Sequence, residues 1–588
     1  MNTTLSNRKE AFFLILFLLI SISWKNAEKP KENKSEVLKG TIIIPASDFL
    51  DEIPKGNTIT DAKSERVDWL FNNTAIVLDS KTNLLVKVTV HEDGNYFLYV
   101  RSKSRKGGSF KVVVNDQVTT MSFGKVPLSW QKGDDFQLKK GKIDVKITRI
   151  EQGSIFDVLV LSKNPDLKEE DIMPYQLNEE VKLLKSYQIP PSNAVKFGDV
   201  NGDGLTDFMA LEGDFSAHVF DNSGKELWQW KAPEKDGVKR SEFEAPGLLW
   251  DFDQDGKAEV VHWRMEEGKE KLVIASGETG KVLREVDWPT QPLPHEYNNF
   301  RLAIAKLTKG APNEIIAFTD MGGTINITAY SADLKQLWQH TEKRKKDNLG
   351  HYAYPIDLNK DGIDEVLIGS LLLDANGKEL WNKFDLLPDN HDHADSYKFL
   401  DLNGDGKLEI ITANSEAGVF VYEAMTGKII WENVAEHSQQ IQAGNFLEKG
   451  SGPQVVVGGR TYGNRSIGEP YLSSQLYWFD KNGNHLFKWP SAPINGNPDF
   501  VKGDWLGNGV EQLFWYKFEI NKQGKGELYF PDPVFHMFDF MGKGAEEVIT
   551  LNRGVLQIYG SNKAQHKGID HKKDLMYLKN IVVNHTHY

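Results

Sequence analysis

The residues of this chain best suited to chemistry are histidines, tyrosines and one arginine at equivalent places in successive repeats. His351 and Tyr352 stand a few residues ahead of one acidic loop, and His393 and Tyr397 ahead of the next. His437 and Gln440 precede the loop after that, Asn299 and Arg301 the loop before, and Glu244 the loop one repeat earlier still. With 15 histidines in 588 residues, several at one repeat position are a concentration. His, Tyr and Arg together meet the needs of β-elimination from a uronate. A base takes the proton from C5, an acid protonates the departing oxygen, and a cation neutralises the carboxylate so that the C5 proton becomes acidic. Arg301 is the expected carboxylate clamp, because a guanidinium binds both oxygens. His351 and His393 are the expected acid and base, with Tyr352 or Tyr397 as partner. His437, Glu244, Asn299 and Gln440 are expected to bind substrate. The bland account of each histidine is a hydrogen-bonding filler in a wet channel. Glu244, Asp395, Asp499 and Asp532 also leave room for a two-carboxylate hydrolase.

What aligns these residues is a short acidic loop repeated between Asp199 and Gly544. Four copies are intact: DVNGDGLTD from Asp199, DFDQDGKAE from Asp251, DLNKDGIDE from Asp357 and DLNGDGKLE from Asp401. Four keep the place but lose carboxylates, starting at Lys306, Asn445, Asp504 and Asp539. A period of roughly 35–60 residues with several short strands per repeat is the mark of a β-propeller. Eight inner strands precede the eight loops, so eight blades are expected, with seven as the fallback. The segment KLLKSYQ is expected to supply the last blade's outer strand and close the ring. Turns such as DNSGKELW, DANGKELW and AMTGKIIW place a large apolar residue where it can pack between blades.

Oxygen ligands at positions one, three, five and nine of a Gly-containing loop suit a hard divalent cation, calcium above magnesium. The sets are Asp199, Asn201, Asp203 and Asp207; Asp251, Asp253, Asp255 and Glu259; Asp357, Asn359, Asp361 and Glu365; and Asp401, Asn403, Asp405 and Glu409. These ions are expected to staple loops rather than to catalyse.

The rest of the chain is all-β as well. Residues 40–163 alternate in short strands without the acidic loop and are expected to form a jelly-roll-like β-sandwich. A linker over 164–180 leads to the propeller over 181–562, and a tail over 563–588 is left unassigned. Arg8 and Lys9 precede an apolar run from Ala11 to Ile22, so 1–24 is expected to be a signal peptide and 25–39 a tether. The protein is then secreted, periplasmic or on the cell surface, with no stable membrane span. The absence of cysteine excludes a lipoprotein anchor, disulfides and thiolate metal sites. A net charge of −13 argues against nucleic acid as a partner.

The acidic loops resemble the FG-GAP repeats of integrin heads and of rhamnogalacturonan lyases of polysaccharide lyase family eleven. That resemblance covers about 181–559 and implies an eight-bladed propeller with bound calcium. The segments NYFLYVRSKS and GSFKVVVND resemble the galactose-binding-like modules attached to carbohydrate-active enzymes. The histidine-rich mouth is similar to that of propeller-type ulvan lyases, which use a His/Tyr/Arg set on a uronate–rhamnose polymer. These resemblances imply a lyase of an acidic polysaccharide, with ulvan ahead of rhamnogalacturonan; the oligomeric state is not fixed by the sequence, with a monomer expected. A non-catalytic glycan- or protein-binding propeller is the alternative from another class.

Overall fold

The computed structural model describes residues 39–583 except 61–64, 66, 68, 69, 72, 73, 106, 173–179, 193, 234–245, 290–299, 321–323, 344–349, 388–392, 448–451, 463–470, 495–499, 521–525 and 566–573. The signal-like segment, nearly all of the tether, Glu244, Asn299 and Asp499 lie outside the described residues. Among the described residues no helix is long and apolar enough to cross a membrane.

Two sheets form first. A six-stranded sheet built on Gly94–Ser104 and Ser154–Ser162 faces a four-stranded sheet containing Leu84–Val90, Ser109–Val114 and Gly141–Glu151. Alternate residues of both meet in one core, with Leu98, Phe156 and Leu159 on one side and Val112, Val145 and Ile147 on the other. This is the period-two logic of a sandwich, in which each strand gives one face to the interior.

Beyond it, eight four-stranded antiparallel sheets follow in chain order among the described residues, each a meander from an inner to an outer strand. Second strands such as Asp207–Leu211 are buried on both faces, whereas outer ones such as Val282–Asp287 and Lys428–Asn433 alternate between half-buried and exposed. The last sheet takes its outer strand from the other end of the ring. Val181–Gln188 pairs antiparallel with Val555–Ser561, with Val181 opposite Ser561 and Gln188 opposite Val555. Phe197 of the first sheet then stacks on Phe538 of the last, with centroids 4.9 Å apart.

Neighbouring sheets are joined by a repeated clasp. The indole N–H of an outer-strand Trp donates to a turn carbonyl of the next sheet: Trp228 to Gly277, Trp338 to Ala375, Trp381 to Ala424 and Trp431 to Lys481. Each indole lies flat on a turn glycine, Gly280, Gly377, Gly427 and Gly483, all with positive φ. Tyr187 plays the same part for Gly224 where the last sheet meets the first.

The acidic loops all follow inner strands, so they share one end of the ring, and the strand N-termini share the other. The C-terminal helix Leu575–Val583 seals the loop end. Its Tyr577, Leu578 and Ile581 line a cavity with Phe197, Leu249, Trp250 and Phe538. Lys579 forms an ion pair with Asp364, both buried, and the Tyr354 hydroxyl donates to Asn580. The tail that the sequence left unassigned therefore closes the axis of the ring.

The clasp makes a sharp prediction. At Gly377 φ is +77°, and an added Cβ would sit 2.6 Å from the Trp338 ring; at Gly404 φ is +82° with nothing within 4 Å. Gly404→Ala is expected to cost only the left-handed backbone penalty, about 1–2 kcal/mol. Gly377→Ala adds displacement of a packed indole and is expected to cost about 3 kcal/mol or more, read from urea midpoints. Equal losses would show that the clasp contributes nothing.

Candidate functional site

The loops come first because they set the register of everything at the mouth. In the six loops that begin with Asp, that first carboxylate folds the turn around itself. Asp199 accepts N–H groups from Gly202 at 2.7 Å, Asp203 at 3.2 Å and Gly204 at 2.7 Å. The sixth-position glycine donates in the same way to Asp251, Asp357, Asp401, Asp504 and Asp539. The ninth position does something sequence reasoning did not anticipate. Its side-chain oxygen accepts the N–H of position two in five loops: Asp207 from Val200, Glu259 from Phe252, Glu314 from Leu307, Glu365 from Leu358 and Glu409 from Leu402. Two further decayed loops keep the bond through Gln454, one residue later, and through Gln512, while in the last loop Glu547 takes the N–H of position three, Met541. The ninth residue is thus a backbone anchor in every sheet, whether or not the rest of the ligand set survives.

Among the described residues, the second loop gathers a three-acid set, with one ligand oxygen each of Asp251, Asp253 and Glu259 within 4.8 Å of one another. Burial, reinforced by Asp253, Asp251 and Asp255, pushes the Glu259 carboxyl up to about 7. A cation there would relieve that crowding, so the donor set fits a hard metal. In the third and fourth loops the Asn359 and Asn403 amides donate to Glu365 and Glu409 at 2.7 and 2.9 Å, closing those loops on their own side chains.

At the opposite mouth three of the sequence-predicted positions meet. The Nε2 atoms of His351 and His393 lie 3.1 Å apart, and Asp395 Oδ1 is 3.1 Å from the first and 3.3 Å from the second. His351 and Asp395 are buried, while His393 keeps 18% of its side chain exposed toward the mouth. Ser415 donates to the other Asp395 oxygen at 2.8 Å and fixes the carboxylate. Burial drives the His351 imidazole down to about 4, with His393 and Arg301 adding to the effect and Asp395 opposing it. Burial alone would raise the Asp395 carboxyl, but the adjacent histidines outweigh it and hold it below the usual carboxylate range. The result is a neutral His351 imidazole beside an ionised carboxylate, with one ligand atom of each of the three side chains close to the others. A cation about 2.1–2.4 Å from three such atoms has ligand–ligand edges of about 3.0–3.5 Å, and the observed triangle has that size. The trio is the second group among the described residues able to hold a metal ion.

The other predicted residues fall into different places. Arg301 is buried on its inner strand, near enough to depress His351 and to lower Tyr352 against the upward push of burial. Tyr352 lines the axial cavity, with its ring 4.5 Å from that of Tyr397. Tyr397 is fully buried and its hydroxyl donates to the Tyr352 carbonyl at 2.5 Å, so it braces the mouth and is placed as a support rather than as a proton-transfer group. His437 is held by Glu416 at 2.9 Å and Gln439 at 3.0 Å, with a strained φ of +32°. Gln440 accepts the Phe500 N–H at 3.0 Å and stitches the sixth sheet to the seventh, which is a structural role rather than substrate contact. Asp532 accepts from Asn552 at 2.6 Å within the last sheet. Asp395 was expected from sequence at the same mouth, with a role only as one of four possible hydrolase acids; its spacing two residues after His393 was the available signal.

The ninth-position anchor is testable where no cation set survives. Gln454 Oε1 accepts both Phe446 and Leu447 N–H groups, at 2.9 and 3.1 Å. Gln454→Ala strands two buried donors and is expected to lower stability by about 2–4 kcal/mol, by the same amount with and without a chelator. A loss that disappears in chelator would mean that this loop works through a metal instead.

No protein-family profile matches the chain. It is 23% identical over 416 residues to the rhamnogalacturonan endolyase YesW of Bacillus subtilis, a match covering 55% of this chain and 65% of the relative. It is 24% identical over 281 residues to the rhamnogalacturonan exolyase YesX of the same organism, covering 39% and 42%. The chain therefore spans less than two thirds of the length of these curated relatives. Among solved structures, rhamnogalacturonan lyase YesW superimposes with a TM-score of 0.54 at 17% identity, over 83% of this chain and 91% of that one. A Bacillus licheniformis rhamnogalacturonan lyase gives 0.53 at 16%, over 84% and 94%. These two sequence relatives and these two structural neighbours of the all-β chain are all rhamnogalacturonan lyases.

Proposed function

We propose that this chain is an exported polysaccharide lyase that cleaves a polymer of uronate and rhamnose by β-elimination. The observation that carries the reading is the convergence of His351, His393 and Asp395 at the mouth of a ring whose relatives are rhamnogalacturonan lyases. Those relatives move rhamnogalacturonan ahead of ulvan as substrate, reversing the order expected from the histidines. The trio's chemistry serves either polymer, since both present a uronate carboxylate. A divalent cation, when held by His351, His393 and Asp395, would supply charge that neutralises that carboxylate. Arg301 adds a fixed positive charge from the third sheet. In this reading the two histidines serve as ligands rather than as acid and base, and Tyr352 is the proposed proton-exchanging group. Calcium in the acidic loops is proposed as a structural cofactor, and the apolar stretch from Ala11 to Ile22 supports export.

Incubation with rhamnogalacturonan and ulvan in parallel, following the ultraviolet absorbance of unsaturated uronate, is expected to give signal with the former first. Reducing ends without absorbance would identify a hydrolase, and neither signal a binding protein. His393→Ala is expected to lose about 100-fold or more in kcat/KM, whereas Tyr397→Phe is expected to lower stability and leave turnover within about tenfold.

Metal content gives a second, activity-independent check. Elemental analysis of dialysed protein is expected to find one fewer ion per chain in His393→Ala than in the parent. Chelator is expected to lower the melting temperature of both, with calcium restoring it. Equal metal content in the two proteins would remove the trio as a cation site.

A further inference from the structure

Directly beneath the mouth the ring encloses a cavity of about 270 Å³ whose wall includes Tyr352, Tyr354, Lys398, Gln442, Lys502 and His536. Tyr354, Lys398, Gln442 and His536 each stand three residues ahead of an acidic loop, one from each of four inner strands. The same position in the first sheet is Lys196, which is also buried, and Arg301 stands five residues ahead of its loop. A chain of net charge −13 thus places a cation on the inner strands of the first, third, fifth and seventh sheets.

Lys398 is the one whose charge is unanswered. None of the three carboxylates on the cavity wall is paired with Lys398. Glu511 pairs with Lys502 at 2.6 Å, Glu546 accepts the Asp504 N–H, and Asp574 accepts the Tyr577 N–H at the start of the C-terminal helix. Lys502 has a second acceptor in the Ala443 carbonyl at 2.8 Å. Among the described residues Lys398 has no carboxylate partner; its one resolved charge interaction is repulsion from Lys502, which adds to burial in lowering its ammonium to about 8. A lysine on an enclosed wall without a counter-ion costs stability unless something anionic occupies the space beside it.

We propose that this axial cavity is an anion-binding site organised by Lys398, sized for a small oxyanion or a carboxylate. The ammonium supplies the charge and up to three donors, and the ring of tyrosine, glutamine and histidine side chains supplies polar walls. The C-terminal helix closes the far end, so an anion enters from the histidine mouth. The occupant is either a free inorganic anion or the acid group of a sugar unit reaching down from that mouth.

Calorimetric titration of the full chain at constant ionic strength, with sodium sulfate and separately with free galacturonate, tests the site without any dependence on turnover. Saturable binding is expected, weakened about tenfold or more in Lys398→Met, the loss of one charge-assisted contact. Sulfate binding without competition from galacturonate assigns a free inorganic anion; mutual competition assigns the acid group of a sugar. Both results support the site. Absence of saturable binding of either anion, or binding unchanged in Lys398→Met, overturns it. Should Lys398→Met fail to fold, bromide soaked into crystals of the parent protein decides instead. An anomalous peak in contact with Lys398 Nζ is expected, and its absence at high bromide overturns the proposal. A lyase without this site and a non-lyase with it are both distinguishable outcomes, since the polymer assay is separate.

Discussion

One hydrogen bond per sheet organises this molecule: the side-chain oxygen of the ninth loop residue taking the N–H of the second. The bond ties the start of the second strand to the end of the first, so it fixes the angle at which each inner strand leaves the axis. Because it recurs in seven of the eight loops, and moves by one residue in the last, the inner strands share one register, and residues three and five places upstream face the channel together. Metal ligation is a separate layer on the same loop. That separation explains how four loops lose carboxylates at positions one, three or five while the ring stays regular. Glutamine replaces glutamate at two anchors because the bond needs an acceptor and not a charge.

The mouth shows the opposite economy, with charge kept where the surroundings oppose it. Asp395 is buried and ionised, His351 is buried and neutral, and only His393 reaches toward solvent. A buried carboxylate survives only if its lone pairs are used, and Ser415 and the two imidazoles use them. Arg301, held on an inner strand of the third sheet, raises the positive potential at His351. The C-terminal helix matters to the same site from the other side, because it bonds to Tyr354 and so stiffens the strand that follows His351 and Tyr352.

Much of this was legible in the sequence, and the failures have specific causes. The loop period located the inner strands, the turns located the interlocking aromatics, and the expected closing strand pairs where KLLKSYQ stands. The histidines at one repeat position did converge. Tyr397 was misplaced by parity: it lies one residue off the set that faces the channel, and in a strand one residue is the difference between two faces. Lys398, next to it, has the facing position and drew no attention because a lone lysine carries no motif. Gln440 was read as a substrate contact because its strand is right, but its amide is claimed by Phe500 across the sheet boundary. The helix at 575–583 was invisible because nine residues with a modest apolar face do not stand out against a polar tail.

The pairing of Val181–Gln188 with Val555–Ser561 has a consequence in time. The two strands are separated by nearly the whole ring, so closure carries the largest loop entropy of any strand pairing among the described residues. During synthesis the strand that ends the circle emerges first and has no partner until the last one is made. For that interval it is an unpaired edge, and its lysines, Lys182 and Lys185, are the kind of charge that keeps such an edge from recruiting a strand of another chain. The ring is thus assembled as an open arc with a guarded end, and its final act of folding joins the earliest-made strand of the circle to the latest.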